Sequence, residues 1–81
     1  MLDVVEVRYM RDYIVWLRFD DGTQGEADLR AELWGEMFEP LRDVELFRRV
    51  AVNPDTGTIE WPNGADLAPE FLLARLRVGH A

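Results

Sequence analysis

Apolar and polar residues alternate along the first third of the chain, and turn-forming residues interrupt the alternation twice. This period of two predicts strands over residues 4–9, 13–19 and 23–27. Residues 20–23 include Asp-Gly, which tolerates the positive φ of hairpin turns, and residues 10–12 form a tight connection. We therefore expect a three-stranded antiparallel meander. On its first strand, the residues expected on one side are Val5, Val7 and Tyr9.

The spacing of apolar residues becomes helical after residue 28. Asp28 is suited to cap a helix over residues 29–34, because its carboxylate can accept hydrogen bonds from the free N–H groups of a first turn. Gly35 weakens or stops this helix, Pro40 stops it, and Asp43 is placed to cap a second short helical turn. The stripe predicted to face the core consists of Leu29, Leu33 and Met37.

The last third of the chain combines a second hairpin with a C-terminal helix. Strands are predicted over residues 49–53 and 58–61, around a turn rich in Asn, Pro, Asp and Gly. Pro69 suits the first turn of a helix expected over residues 70–77. The order β-β-β-α-(α)-β-β-α segregates strands from helices, which favours a single α+β domain over residues 1–81. Its antiparallel sheet would carry short helices on one face.

The strand over residues 13–19 is apolar on both faces. One face would carry Tyr13, Val15, Leu17 and Phe19, and the other Ile14, Trp16 and Arg18. If the first face meets the helices, Ile14 and Trp16 form an exposed apolar surface of the kind that binds another protein. Leu2 and Val4 are candidates to extend this surface. A curled sheet or a covering terminus is the alternative that the sequence leaves open.

The second candidate site is a stretch of polar and aromatic residues that leads into the C-terminal helix. It consists of Trp61, Asn63, Asp66 and Glu70. In a structural role, Asp66 would cap the helix and Glu70 would lie where the helix dipole favours an acid. In a functional role, the same acids would bind a small ligand or a metal ion. Trp34 and Trp61 are expected in the core or half-buried at its edge.

The composition limits the chemistry available to the chain. It contains no Cys, Ser or Lys, which removes the usual nucleophiles, disulfides and zinc-thiolate sites. Its one His, His80, is next to the C-terminus, and no glycine-rich phosphate loop is present. We therefore expect no catalytic residue, no cofactor and no recognisable metal site. An enzyme based on some of the sixteen acidic residues is the least favoured alternative.

The formal net charge of −7 argues against nucleic acid as a partner. The basic residues concentrate only at the expected end of the last helix, where the dipole favours cations: Arg75, Arg77 and His80. The longest apolar run is five residues, whereas a membrane-spanning helix needs about 20. The first six residues lack the features of a secretory signal, so we expect a cytoplasmic location without membrane contact.

Three sequence patterns occur together in this chain. They are VWLRFDDGT at residues 15–23, FEPLRD at residues 38–43 and TIEWPNGADLAPEFL at residues 58–72. In this combination the chain resembles the bacterial family known as domain of unknown function 2442, over nearly its whole length. The resemblance implies a small α+β protein that occurs alone or fused to a helix-turn-helix domain. Such proteins are often encoded beside another small protein, an arrangement interpreted as a toxin–antitoxin system.

These observations favour a non-catalytic protein-binding or regulatory module, as one member of a two-protein system. Its partner would be another protein or a second copy of the chain in a homodimer. The alternative function is a small-ligand or metal-binding domain that uses the stretch from Trp61 to Glu70.

Overall fold

Two antiparallel β units, joined by short helical segments, form the fold of residues 2–77, which a computed structural model describes. The strands are β1 (Val4–Arg11), β2 (Ile14–Phe19), β3 (Gln24–Asp28), β4 (Ala51–Asn53), β5 (Thr58–Glu60) and β6 (Leu76–Arg77). The helices are α1 (Val44–Phe47) and α2 (Pro69–Arg75), and 3₁₀ turns cover Arg30–Glu32 and Glu39–Arg42. The predicted α+β class, with a meander followed by a second hairpin, is confirmed.

The first sheet has the order β1-β2-β3-β6 and is antiparallel throughout. The β2–β3 turn forms at the Asp-Gly pair, where Gly22 has a φ of 89°. The Asp21 carboxylate accepts a hydrogen bond from the Thr23 N–H at 2.9 Å, and this bond lowers the pKa of Asp21. The β1–β2 turn lies at Asp12, whose φ of 48° is better tolerated by Asp than by most residues.

Two bulges in β1 decide which of its side chains reach the core. The pairing with β2 shifts at Val5 and again at Met10, and both side chains are exposed. Each bulge inserts one residue and so reverses the alternation of faces. As a result Val4, Val7 and Tyr9 face the core. The expectation that Val5 shares a side with Val7 is therefore wrong.

The second hairpin is held closed by Asn53. Its carbonyl accepts hydrogen bonds from the N–H groups of Thr56 and Gly57, at 3.2 and 2.8 Å. Its side-chain oxygen accepts another from the Asp55 N–H at 2.9 Å. The Gly57 carbonyl in turn accepts from the Val4 N–H at 2.8 Å, which fastens the hairpin to the start of β1.

The helix expected over residues 29–34 does not form. The chain makes a single 3₁₀ turn at Arg30–Glu32, where the Asp28 carboxylate accepts a hydrogen bond from the first N–H at 3.0 Å. Gly35, with a φ of 86°, then redirects the chain.

The three residues of the expected helical stripe are therefore separated. Leu29 and Leu33 are buried as predicted, but Met37 lies beyond the turn and is exposed. The second capping prediction is confirmed, because the Asp43 carboxylate accepts a hydrogen bond from the Glu45 N–H at 3.0 Å at the start of α1.

The C-terminal helix is shorter than predicted. It ends at Arg75, and Leu76, with a ψ of 131°, begins β6. Leu76 pairs with Ala27 of β3, so the helix expected over residues 70–77 is wrong at its last two positions. His80, part of the predicted basic cluster, falls outside the described residues. Neither α1 nor α2 has the length and apolar content to cross a membrane.

Trp61 lies in the core that both β units share, and it is 1% exposed. Its Nε1 donates a hydrogen bond to the Phe47 carbonyl at 2.8 Å. Its ring centroid lies 5.6 Å from that of Phe47 and 6.3 Å from that of Phe38. The predicted burial of Trp61 is thus confirmed, with its one polar atom paired, as a buried indole requires.

Candidate functional site

The outer face of the first sheet is centred on Trp16, which pairs with Arg8 on β1 and with Glu26 on β3. The Arg8 guanidinium lies over the indole, 5.3 Å from its centroid. At this distance a cation is attracted by the electrons of the ring face. Trp16 is half-buried beneath it.

Charged side chains surround Trp16 on this face. Glu6 approaches Arg8 at 2.8 Å and Arg18 at 3.1 Å, and Arg11 lies 3.8 Å from Glu26. The hydrogen bonds from Arg8 and Arg18 lower the pKa of Glu6. Ion pairs this exposed contribute little to stability individually. Their consequence here is that both glutamates of the face lie within 4 Å of an arginine nitrogen.

The residues predicted to form an exposed apolar surface are divided between two faces. Ile14 shares the outer face with Trp16 but is only 9% exposed. Val4 is 2% exposed and belongs to the core, because the bulge at Val5 turns it inward. Leu2 also packs against the core. The prediction that Val4 and Leu2 extend an exposed apolar surface is therefore wrong. On the outer face, the Trp16 ring is half-buried.

Two of the four residues of the second predicted site have structural roles. Trp61 is enclosed in the core. Asn63 joins two loops, since its Nδ2 donates to the Met37 carbonyl at 2.9 Å and its Oδ1 accepts from the Ala65 N–H at 3.1 Å. Neither side chain is free to bind a ligand in this arrangement.

The other two residues of that site are exposed acids. Asp66 forms an isolated β-bridge with Glu60, and the cap position of α2 belongs to Ala68 without a side-chain hydrogen bond. The predicted Asp66 cap is therefore wrong. Glu70 does lie in the first turn of α2, where the dipole favours it. Among residues 2–77, no group of three acidic or His side chains is placed to hold a metal ion.

A shallow depression of about 400 Å³ lies beside the second hairpin. Its polar lining includes Arg49, Asn53 and Glu60, and its apolar lining includes Trp61 and Pro62. The Asn53 amide donates a hydrogen bond to the Glu60 carboxylate. The predicted ligand stretch contributes the buried Trp61 and its neighbours Pro62 and Gly64 to this lining, but neither Asn63 nor the two acids.

Trp34 is the surface feature that the sequence reasoning missed. The prediction that it packs in or beside the core is wrong, because its side chain is 68% exposed. Met37, three residues further on, is 46% exposed. Leu33 is buried and Gly35 turns the chain, which leaves the ring between them outside the core. Gly35, already expected to weaken or stop the predicted helix, is the sequence signal for this exposure, since a glycine interrupts the helix that would contain Trp34.

Hydrogen bonds hold the segment that carries Trp34, which we name the Trp34 loop (residues 34–39). The Arg42 Nε donates to the carbonyl that precedes the loop, at 2.6 Å. Asn63 donates to the carbonyl of Met37 within the loop. A backbone turn inside the loop adds bonds of 2.8 and 3.2 Å. Trp34 is therefore presented on an ordered backbone.

The Trp34 loop also carries two acidic side chains, Glu36 and Glu39. Neither forms an ion pair with any side chain that the structure describes. Together with Gly35 and Pro40 they line a second depression, of about 450 Å³. This region thus combines an exposed aromatic ring with negative charge that has no internal counterpart.

A family model described as a protein of unknown function, DUF2442, matches residues 4–77. The chain belongs to DUF2442. The DUF2442 match runs from the first residue of β1 to the last residue of β6, so it covers the whole observed fold. No curated protein and no solved structure matches the chain. The outer face around Trp16 and the Trp34 loop both lie within the DUF2442 domain.

Proposed function

We propose that this DUF2442 protein is a non-catalytic protein-binding module whose contact surface is the Trp34 loop. The observation that carries the proposal is a Trp side chain that is 68% exposed on a hydrogen-bonded backbone. Trp is among the residues most often found at the energetic centre of protein interfaces. Because the loop is already ordered, little of the binding free energy is spent on fixing its conformation when a partner binds.

The exposed ring is large enough to anchor a complex. Removing roughly 100 Å² of apolar ring surface from water stabilises a complex by about 2–3 kcal/mol. At about 1.4 kcal/mol per tenfold, this corresponds to about 30- to 140-fold in Kd. Met37 adds further apolar area on the same loop.

The outer face of the sheet is the weaker candidate surface. A partner that buried Trp16 would first have to displace Arg8 from its ring. It would also have to desolvate the pairs between Glu6 and its two arginines, and that desolvation opposes binding. Trp16 is therefore the natural control for Trp34.

The absence of catalysis is part of the proposal. It is supported by the lack of Ser, Cys and Lys, which removes the common nucleophiles. In a two-protein system of the kind that the family resemblance implies, the module would act by covering a surface of its partner.

Affinity capture from the native organism, with mass spectrometry of the captured proteins, tests the proposal. We expect the wild-type chain and a W16A variant to retain the same protein, and a W34A variant to lose it. Circular dichroism must show that all three are folded. Capture that survives W34A contradicts the proposal, and capture lost only with W16A would move the contact surface to the sheet.

Small-ligand binding is a second candidate function, and the depression beside the second hairpin favours it. Its volume of about 400 Å³ lies within the usual range of small-molecule sites. A ligand there would raise the melting temperature of the wild-type chain but not of an E60Q variant. A panel of metabolites and divalent cations that leaves the wild-type melting temperature unchanged counts against this candidate.

A further inference from the structure

We infer that the partner of the Trp34 loop is a basic protein segment that carries Arg or Lys side chains next to an apolar anchor. This inference rests on the proposed function and adds the chemistry of the partner. Its basis is that the exposed ring of Trp34 shares a loop with two carboxylates that lack a counter-charge within the described chain.

The two carboxylates of the Trp34 loop differ from those of four other glutamates in the protein. Four glutamates each lie within 4 Å of an arginine nitrogen: Glu6, Glu26, Glu32 and Glu45. Glu36 and Glu39 have no such partner among the described side chains. Their charge is therefore available to a binding protein without the loss of an existing pair.

The shape of the loop also suits a long cationic side chain. Glu36 and Glu39 line a concave surface that includes Pro40. An Arg or Lys stem can lie against the apolar proline ring while its charged end reaches the carboxylates. Hydrogen bonds between such ionised groups are stronger than those between neutral groups. An apolar side chain of the same partner segment would then be available to contact Trp34.

A second copy of the chain is a poor occupant of this surface. In a two-fold symmetric dimer the same patch meets itself, so the glutamates of one copy would face those of the other. Like charges brought together at an interface oppose binding. Anionic lipids and nucleic acids are disfavoured for the same reason, since the chain carries a net charge of −7. A basic protein segment is the occupant that the charges favour.

Selection from a library of random peptides displayed on phage tests this inference. Wild-type protein is the bait at low ionic strength, and W34A protein removes peptides that do not need the ring. We expect the selected peptides to be net positive and to contain an aromatic or aliphatic residue. The strongest synthetic peptide should bind an E36Q/E39Q variant about tenfold more weakly, and added salt should weaken wild-type binding more than binding to that variant.

A D55N/E70Q variant is the matched control, because it removes two charges from exposed positions outside the loop. It should bind the peptide as wild type does. Trp34-dependent peptides that are neutral or acidic, or that bind E36Q/E39Q as tightly as wild type, overturn the inference but leave the proposed function standing. If no selected peptide requires Trp34, the proposed function fails and the inference fails with it. Trp34-dependent binding to phosphatidylserine vesicles or duplex DNA would also overturn the inference.

Discussion

Trp16 and Trp34 occupy two surface regions of one small domain, and the two rings differ in how far other side chains cover them. Trp16 sits in the middle strand of a sheet, where the register places Arg8 beside it and the guanidinium covers its ring. Trp34 sits after a 3₁₀ turn, with no strand on either side, and is 68% exposed. In a sheet, the paired strands place side chains next to each other at a fixed spacing, whereas a loop has no cross-strand neighbours.

The charges near the two rings differ in the same way. Around Trp16, Glu6 is paired with two arginines and Glu26 with a third. Around Trp34, Glu36 and Glu39 have no partner in the described chain. An exposed aromatic ring beside two carboxylates without an ion pair therefore distinguishes the Trp34 loop from the outer face of the sheet.

Truncation of the buried Trp61 should cost more stability than truncation of either surface tryptophan. Trp61→Ala removes a fully buried ring and leaves the Phe47 carbonyl without its donor, which costs about 3–5 kcal/mol. A domain of this size is stable by about 4–12 kcal/mol, so urea titration should find the variant close to unfolding. The milder Trp61→Phe should lie between it and wild type. A wild-type urea midpoint for both would show that Trp61 is not a core residue.

Trp34→Ala should give the largest effect on binding with almost none on stability. Because the side chain is 68% exposed, the free energy of unfolding should stay within about 0.5 kcal/mol of wild type. The Kd for the captured partner, measured by calorimetry, should rise about 30-fold or more. A loss of stability above about 2 kcal/mol would mean that the ring is buried and that the comparison is mistaken.

Arg8→Ala should lower stability slightly and leave partner binding unchanged, the reverse of Trp34→Ala. It removes the cation from the Trp16 ring and one partner of Glu6, so we expect a loss of stability of about 0.5–1 kcal/mol. Acrylamide should quench Trp fluorescence more strongly in R8A, measured in a W34F background to isolate the sheet face. Partner binding, measured with the R8A single variant that keeps Trp34, should be unchanged. Unaltered quenching would show that Arg8 does not cover the ring.

The smallest predicted effect concerns pH. Because Arg8 and Arg18 lower the pKa of Glu6 below its ordinary value of 4.5, the folded state favours the ionised carboxylate. This stabilisation is complete above 4.5 and is lost as the pH falls through the lowered folded-state pKa. The melting temperature of Glu6→Gln should therefore be below that of wild type at neutral pH and equal to it in strong acid. If the two melting temperatures still differ in strong acid, the effect of the substitution comes from packing and not from the charge of Glu6.

Local chemistry made much of the fold predictable. Asp-Gly at the β2–β3 turn and the Asn53 turn of the second hairpin act through bonds within a few residues. The Asp43 cap has the same local character. The size of an indole ring placed both Trp34 and Trp61 in or beside the core, and only Trp61 is there, so ring size alone does not predict burial.

The features that escaped prediction depend on partners distant in sequence. The bulge at Val5 exists only in the register with β2, and it moved Val4 from the predicted surface to the core. Leu76 leaves its helix because Ala27 offers an edge to pair with, although its local spacing is helical. Trp34 is exposed because the chain turns at Gly35 before a helix can form. Periodicity identifies faces, but it does not show what covers them.

Fluorine NMR of protein labelled with fluorotryptophan tests the central claim most directly. The resonances of Trp16, Trp34 and Trp61 are assigned from single Trp→Phe variants and followed as the captured partner is added. We predict that the Trp34 resonance shifts on binding while the other two stay in place, because Trp16 is covered by Arg8 and Trp61 lies in the core. A shift of the Trp16 resonance with Trp34 unmoved would contradict the claim.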